Sequence, residues 1–295
     1  MSARFDLVAV GETMLSLVAE GTLAGAGSLH VTHGGAESNA CVGFARLGLR
    51  TAWVSRLGAD VPGERVAAAL EREGVDVRWV TRDPGRPTGL MLRDTTGAVV
   101  YYRLASAASA LSPKDLDGVP VEDARAVLVT GITALIGDGP GRAAISLLER
   151  AGGVRAVDPN LRAGLWGSDR APELVLPLVE RATLVLAGER ELAALVGPGS
   201  AEELARRCRA SGPREVVVKR GPRGAAALDE RGGWHELEGE PRADVDPVGA
   251  GDAFNAGYLA ARLSGADPAT ALAEGARCGA AVATTVGDTE GFPKR

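Results

Sequence analysis

Asp246-Pro247-Val248-Gly249-Ala250-Gly251-Asp252-Ala253-Phe254 is the stretch on which the reading of this chain turns. A glycine-rich turn runs straight into a helical pattern that continues to about Leu263. The start of a helix presents backbone N–H groups without intrahelical partners, together with the positive end of the helix dipole. Gly249 and Gly251 carry no side chains, so an anionic group can reach those amides, and a phosphoryl group in transfer is the anion they suit best. Asp252, one residue further on, is placed to accept a proton from an attacking hydroxyl. The same letters also spell a plain Asp helix cap beside a tight turn, and in isolation that is the better reading.

Working outward, short apolar runs alternate with helical patterns. Leu7–Val10, Thr51–Ser55, Val75–Val80, Val127–Val129, Val154–Asp158, Leu184–Ala187 and Val216–Lys219 read as buried strands. Helices are predicted over Glu37–Leu47, Pro62–Glu73, Pro140–Arg150, Arg170–Arg181 and Ala201–Ala210, the last opened by a Ser200/Glu203 capping box. Two further strands, Ala225–Leu228 and Trp234–Leu237, precede helices over Gly249–Leu263 and Pro268–Thr285. Apolar strands separated by helices imply an α/β fold, a mostly parallel sheet flanked by helices in three Rossmann-like layers. Two regions break the alternation. Thr88–Leu104 carries two β-rich runs about the turn cluster Asp94-Thr95-Thr96-Gly97, a hairpin signal. Thr13–Thr32 is glycine-rich and lacks helical period. Residues from about 12–33 and 88–104 are therefore expected to form a small β-layer inserted in the α/β body of one domain spanning 1–295.

Composition excludes several classes. The 295 residues are 45% hydrophobic and 24% charged, which rules out disorder, and the 40 glycines follow no three-residue period, which rules out a collagen-like chain. A net charge of −5 weighs against a nucleic-acid partner. Cys41, Cys208 and Cys278 lie far apart, as thiols of a reducing compartment do, and His30, His33 and His235 lack zinc-ligand spacing. The apolar run after Asp6 is too short for a signal sequence or a membrane span, so a cytoplasmic protein with no membrane association is expected.

A second glycine turn, Gly34-Gly35-Ala36-Glu37-Ser38-Asn39, opens another predicted helix. In this order and at this distance, the two turns resemble the signatures of the ribokinase-type (PfkB) family of sugar kinases, and the resemblance covers essentially the whole chain. It implies a ribokinase-like fold in which the inserted β-layer is a lid over the sugar, Asp252 as catalytic base, and an anion hole from Gly249, Ala250 and Gly251. It also implies ATP and Mg²⁺, with a monovalent cation such as K⁺ as a further family feature near Asp246 and Gly287. Lys219-Arg220-Gly221-Pro222-Arg223-Gly224 resembles the family's nucleotide loop, which makes Lys219, Gly221, Gly224, Gly249 and Gly251 the nucleotide-binding set. A turn with solvated basic residues is the plainer alternative for Arg223.

Within the family, three stretches resemble the branch that phosphorylates 2-keto-3-deoxygluconate. They are Val100-Tyr101-Tyr102-Arg103, Asp158-Pro159-Asn160-Leu161-Arg162, and Gly287-Asp288-Thr289-Glu290-Gly291-Phe292-Pro293. An acid sugar calls for cationic partners, and the planar fork of Arg suits a carboxylate. The resemblance assigns the substrate to Gly34, Gly35, Asn39, Tyr101, Arg103, Ile132, Arg162 and Asp288. Tyr101 and Tyr102 alternate faces, so at most one meets the sugar. Arg103 as an edge-strand charge and Arg162 as a partner of Asp158 are the plainer alternatives. Two departures stand out: Gly188 occupies the Asn position of the family's Asn-x-x-Glu, leaving Glu191 as an indirect, water-mediated magnesium support, and Met91 occupies a lid position where the branch often has Tyr. No P-loop motif is present. The competing readings are a kinase for a neutral sugar or nucleoside (fructose, ribose, adenosine) and a non-catalytic sugar or nucleotide sensor. Relatives often pair through the lid, so a homo-oligomer is expected, and they usually continue with another helix after the Gly-Asp tail.

Overall fold

The computed structural model describes residues 5–161, 171–240 and 244–294. Arg162, called above as a substrate ligand, lies outside the described residues. At the centre stands β1 (Leu7–Val10), four apolar residues with no exposed surface. Leu7 and Ala9 point to one side, where α1 (Ala36–Arg46), α2 (Val61–Arg72), α8 (Ala250–Leu263) and α9 (Pro268–Ala283) bring Phe44, Leu70, Tyr258 and Leu272. Val8 and Val10 point to the other, where α4 (Asp138–Arg150), α5 (Ala171–Arg181) and α7 (Ala201–Ala210) bring Leu147, Leu178 and Leu204. Each such side chain contributes about 1.5–3 kcal/mol by leaving water. The period-2 alternation of one short strand thus builds both layers.

Among the described residues the main sheet has nine strands. From β1 it runs one way to β4 (Thr51–Gly58) and β5 (Val80–Asp83). The other way it runs through β8 (Ala126–Thr130), β9 (Val154–Asp158), β10 (Leu184–Gly188) and β11 (Glu215–Lys219) to β12 (Gly224–Leu228) and β13 (Trp234–Glu238). All neighbours are parallel except β11–β12 and β12–β13. The strand expected at Val75–Val80 is displaced. Val75 N–H closes α2 on Leu70 O, and Asp76 makes one bridge to Ala52 before its carboxylate turns the chain at Arg78; pairing resumes only at Val80. Two short helices were not predicted, α3 (Gly131–Leu135) and α6 (Glu189–Val196). The first is five residues, under two turns, and the second eight, barely more than two, too short for a clear helical period.

A second sheet stands apart, in the order β3–β2–β6–β7, built from β2 (Met14–Ala19), β3 (His30–Gly34), β6 (Leu90–Asp94) and β7 (Val99–Tyr102). The β6–β7 turn is tied by Asp94, whose Oδ1 accepts from Thr96 and Ala98 N–H, with Gly97 at φ +98°. The register gives this lid two unlike faces. Leu15, Leu90 and Tyr102 line up across it, as do Val31, Leu17, Leu92 and Val100, all on the outer face. Met91, Arg93 and Tyr101 occupy the inner face, toward the ends of the parallel strands.

Candidate active site

In open α/β sheets a ligand crevice forms where strand order reverses, here between β1 and β8. That crevice is filled by Glu37 from the first turn of α1. Its Oε1 accepts from Thr130 N–H at 2.9 Å, Thr130 Oγ1 at 2.8 Å and Thr133 Oγ1 at 2.7 Å. Burial raises the Glu37 carboxyl above its ordinary range in spite of those bonds. Gly11 must be glycine, because a Cβ there would lie 2.2 Å from Glu37 Cδ. The site is therefore pushed outward, between the strand ends and the lid.

Its centre is the turn into α8. Gly249 sits at φ +82°, and a Cβ on it would lie 2.1 Å from Asp288 O. Gly251 faces open space; its nearest neighbour would be Lys219 Nζ at 3.7 Å. Ala250 N–H turns back to Pro247 O at 3.2 Å, and Val248 N–H is held by Asp246 Oδ1 at 3.1 Å. Asp252, in the first turn, is 4% exposed, and Asn39 Nδ2 donates to its Oδ2 at 2.8 Å. The same Nδ2 lies 3.4 Å from Asp288 Oδ2. Arg93 reaches in from the lid, donating from Nη1 to Asp246 Oδ2 at 2.5 Å and from Nη2 to Asp288 Oδ1 at 3.0 Å. Burial pushes the Asp288 carboxyl up to about 6, against the opposing pull of Arg93 and the Asn39 amide.

Two cavities meet at this turn. A small one, about 70 Å³, lies under the lid. Of the residues called for the sugar, Gly34, Gly35, Asn39, Tyr101, Arg103, Ile132 and Asp288 all line it, as do Gly249 and Asp252. Tyr102, by contrast, is 61% exposed on the outer face. A cleft of about 500 Å³ lies on the far side, lined by Lys219, Gly221, Gly224, Ala250 and Gly251. Its remaining walls include Phe254, Ala276 and Ala280, a flat apolar slot.

Lys219 does not point freely into the cleft. Its Nζ donates to Asp158 Oδ2 at 2.7 Å and Asn255 Oδ1 at 3.1 Å, and Asn255 Nδ2 donates to the same Asp158 oxygen at 2.6 Å. Burial works to lower the ammonium's pKa, yet Asp158 and then Glu191 hold it above its usual value. Glu191 spends both oxygens on backbone N–H groups, Gly188 at 2.6 Å and Leu161 at 2.9 Å. Burial, then Asp158, raises its carboxyl. Arg223 pairs with Glu189 and Arg220 with Glu236, so neither is left to the cleft. Among the described residues no group of three or more His, Cys, Asp or Glu side chains could hold a metal ion.

The sequence reading missed Glu12, Glu37, Arg93 and Asn255. Arg103 Nη2 pairs with Glu12 Oε2, whose other oxygen accepts from Ser106 Oγ at 2.6 Å, and the Arg103 guanidinium lies 5.6 Å from the Tyr101 ring centroid. Glu12 lies two residues past the end of β1, and Arg93 is two residues from Met91 and so shares its face; those were the available signals.

The pattern of the family "pfkB family carbohydrate kinase" matches residues 4–295. The chain is 33% identical to a 2-dehydro-3-deoxygluconokinase from Thermoproteus tenax, over 99% of this chain and 92% of that protein. A crystal structure of a PfkB protein from a Polaromonas species superimposes with a TM-score of 0.87 at 35% identity, covering 96% of this chain and 97% of that one. A fructokinase double mutant from Vibrio cholerae, in its fructose-, ADP- and potassium-bound form, gives a TM-score of 0.87 at 27% identity over 99% and 97% of the two chains. Among the described residues no helix is long and apolar enough to cross a membrane. A glycine turn walled by a lid cavity on one side and a long cleft on the other, with a full-length family match behind it, makes this chain a member of the pfkB family of carbohydrate kinases.

Proposed function

We propose that this chain transfers the γ-phosphoryl group of ATP to the 6-hydroxyl of 2-keto-3-deoxygluconate. The observation that carries the reading is the shared wall. Residues 249–252 border both cavities, with Asp252 facing the lid cavity and Ala250 and Gly251 facing the cleft. A hydroxyl held under the lid and a phosphate held in the cleft therefore meet at the start of α8. Asp252 takes the hydroxyl proton as oxygen attacks phosphorus, with Asn39 fixing the carboxylate's rotation. Backbone from Gly249 to Gly251 and the α8 dipole stabilise the charge that develops on the phosphoryl oxygens. Lys219, held charged by Asp158, adds a fixed cation at the cleft. When bound, Mg²⁺ would supply charge neutralisation on the phosphates, and with no group of three or more His, Cys, Asp or Glu side chains among the described residues to hold it, phosphates and water would be its ligands, with Glu191 as an indirect support. The 500 Å³ cleft and its apolar slot suit ATP's base and ribose.

Arg103 is the substrate's cation in this reading, together with Arg162, and the relative from Thermoproteus tenax supports the acid sugar. One observation favours a neutral sugar instead. Around the small cavity Arg93 and Arg103 face Glu12, Glu37, Asp252 and Asp288, and both arginines are already paired. A panel of acid and neutral sugars with ATP and Mg²⁺, run on wild type and Arg103→Ala, separates the two. The acid-sugar reading requires that the variant raise KM for the acid sugar at least about tenfold and leave a neutral sugar's KM within about twofold, the loss of one charge-assisted contact. Wild-type turnover of fructose or ribose alone would overturn it.

The outer lid face supports a homo-oligomer. Val31, Val100 and Tyr102 are 39%, 42% and 61% exposed and continue the row of Leu15, Leu17, Leu90 and Leu92. An apolar patch of this kind needs a cover, and a second lid is the cover we assign. A cytoplasmic location is part of this proposal; the buried, unbridged thiols of Cys41 and Cys208 support it.

A further inference from the structure

Among the described residues, Arg93 is the lid guanidinium that reaches the carboxylates of the phosphoryl-transfer turn. It is 1% exposed, among the largest fully buried side chains, and its charge is opposed by two carboxylates from two different loops. Asp246 opens the glycine turn. Besides Arg93, its Oδ2 accepts from Gly287 N–H at 3.2 Å, while its Oδ1 fixes Val248 N–H. Asp288 presents its backbone oxygen to Gly249 and its carboxylate to Gly34 and Asn39. The guanidinium therefore ties together both segments that shape Gly249, and it does so from β6, the strand that also carries Met91 on the sugar side. With Nη1 on Asp246 and Nη2 on Asp288, the Arg93 fork is spent on two carboxylates, and its Nε–H has no hydrogen-bond partner among the described residues.

We propose that Arg93 is a positioning residue for phosphoryl transfer: seating the lid strand β6 inserts the cation that sets the Asp246 turn and the Asp288 segment against Gly249, so the anion hole is in shape only under a closed lid. The inference rests on the kinase reading above. It explains why an arginine is buried where the sugar needs none, and why lid and anion hole, far apart in the chain, share one ion triad. A cation at this point also lowers the electrostatic cost of a nearby phosphate without touching it.

The test uses the full chain and the variants Arg93→Gln, Arg93→Lys and Asp246→Asn, each checked for thermal unfolding. A shift of the turn by about 1 Å is expected to cost about a hundredfold in rate. Arg93→Gln should lower kcat by about that factor while KM for ATP and for sugar stay within about threefold, and Arg93→Lys should recover at least about fivefold of the loss. Combining Asp246→Asn with Arg93→Gln should cost no more than the worse single change, because both act through one pair. If Arg93→Gln does not fold, Arg93→Lys and Asp246→Asn carry the comparison. A folded Arg93→Gln enzyme with wild-type kcat overturns the proposal. So does a loss confined to sugar KM, which would make Arg93 a substrate ligand. If wild type phosphorylates only a neutral sugar, the acid-sugar reading falls and the same comparison on that sugar still decides Arg93. If wild type transfers no phosphoryl group to any sugar, the kinase reading and this inference fall together.

Discussion

Gly249 and Gly251 stand two residues apart, and alanine at each should fail differently. At Gly249 the backbone is left-handed, φ +82°, which costs an L-residue about 1–2 kcal/mol. The new Cβ would also lie 2.1 Å from Asp288 O, roughly 1.3 Å inside ordinary contact. Together these amount to about 3 kcal/mol, or a fall in Tm of about 6 °C for a chain of this size. Relief by moving the Asp288 carbonyl displaces the anion hole, and about 1 Å of displacement costs about a hundredfold in kcat. At Gly251 the nearest atom to a Cβ is Lys219 Nζ at 3.7 Å, ordinary contact, in the first turn of a helix that alanine favours by about 0.5–1 kcal/mol. Gly251→Ala should keep or slightly raise Tm, yet lower kcat at least about tenfold, because the methyl group stands where a phosphoryl oxygen approaches. Differential scanning fluorimetry and a coupled ADP-release assay on both variants read the two effects separately. A Gly249→Ala protein with unchanged Tm would refute the strain argument. A Gly251→Ala protein with unchanged kcat would refute the anion hole.

Asp252→Asn should lose at least about a hundredfold in kcat with little change in Tm, measured by ADP release. The Asp288 carboxyl, raised to about 6 by burial, faces Arg93 from β6, Asn39 from α1, Asp246 from the glycine turn and Glu290 beside it. Activity should therefore fall as pH drops through about 6, when the negative charge opposite Arg93 is lost, and a pH–rate profile of Asp288→Asn should lack that limb. Stability moves the other way: a raised folded pKa gives a contribution that is full below about 4 and is lost as pH rises through about 6, worth about 3 kcal/mol. Val100→Glu with Tyr102→Glu should convert the wild-type oligomer to monomers by light scattering, leaving Tm within a few degrees; an unchanged mass would clear the lid's outer face of that role.

Much of the body could be read from the chain because buried parallel strands are short, apolar and bounded by turns. Leu7–Val10 and Val216–Lys219 need no partner to be recognised. The lid hairpin was legible for the same local reason, since Asp94 to Gly97 carries its own turn chemistry. The glycine turn at Gly249 was legible because helix starts and anions meet over a few residues. The ion pairs were not. Arg93 finds Asp246 and Asp288 at separations of 153 and 195 residues, and only the register of β6 on β2 brings it there. Glu12 likewise reads as a polar residue after a strand until Arg103 is placed over it. The displaced strand at Val80 shows the converse: an apolar run was present at Val75, but the end of α2 used its backbone first.

The volume under the lid bears on the rhythm of turnover. At about 70 Å³ it falls far below the roughly 300 Å³ at which pockets begin to take small molecules, while the cleft across the turn already has that room. On the function proposed above, a sugar needs more room than the lid leaves at this turn, so loading it moves the lid strand β6 and with it the contacts of Arg93 to Asp246 and Asp288. Lid opening is then a step in series with phosphoryl transfer, and added viscosity should slow it; a kcat that falls with sucrose would show opening to be partly limiting, and a kcat indifferent to it leaves the slow step at the chemistry.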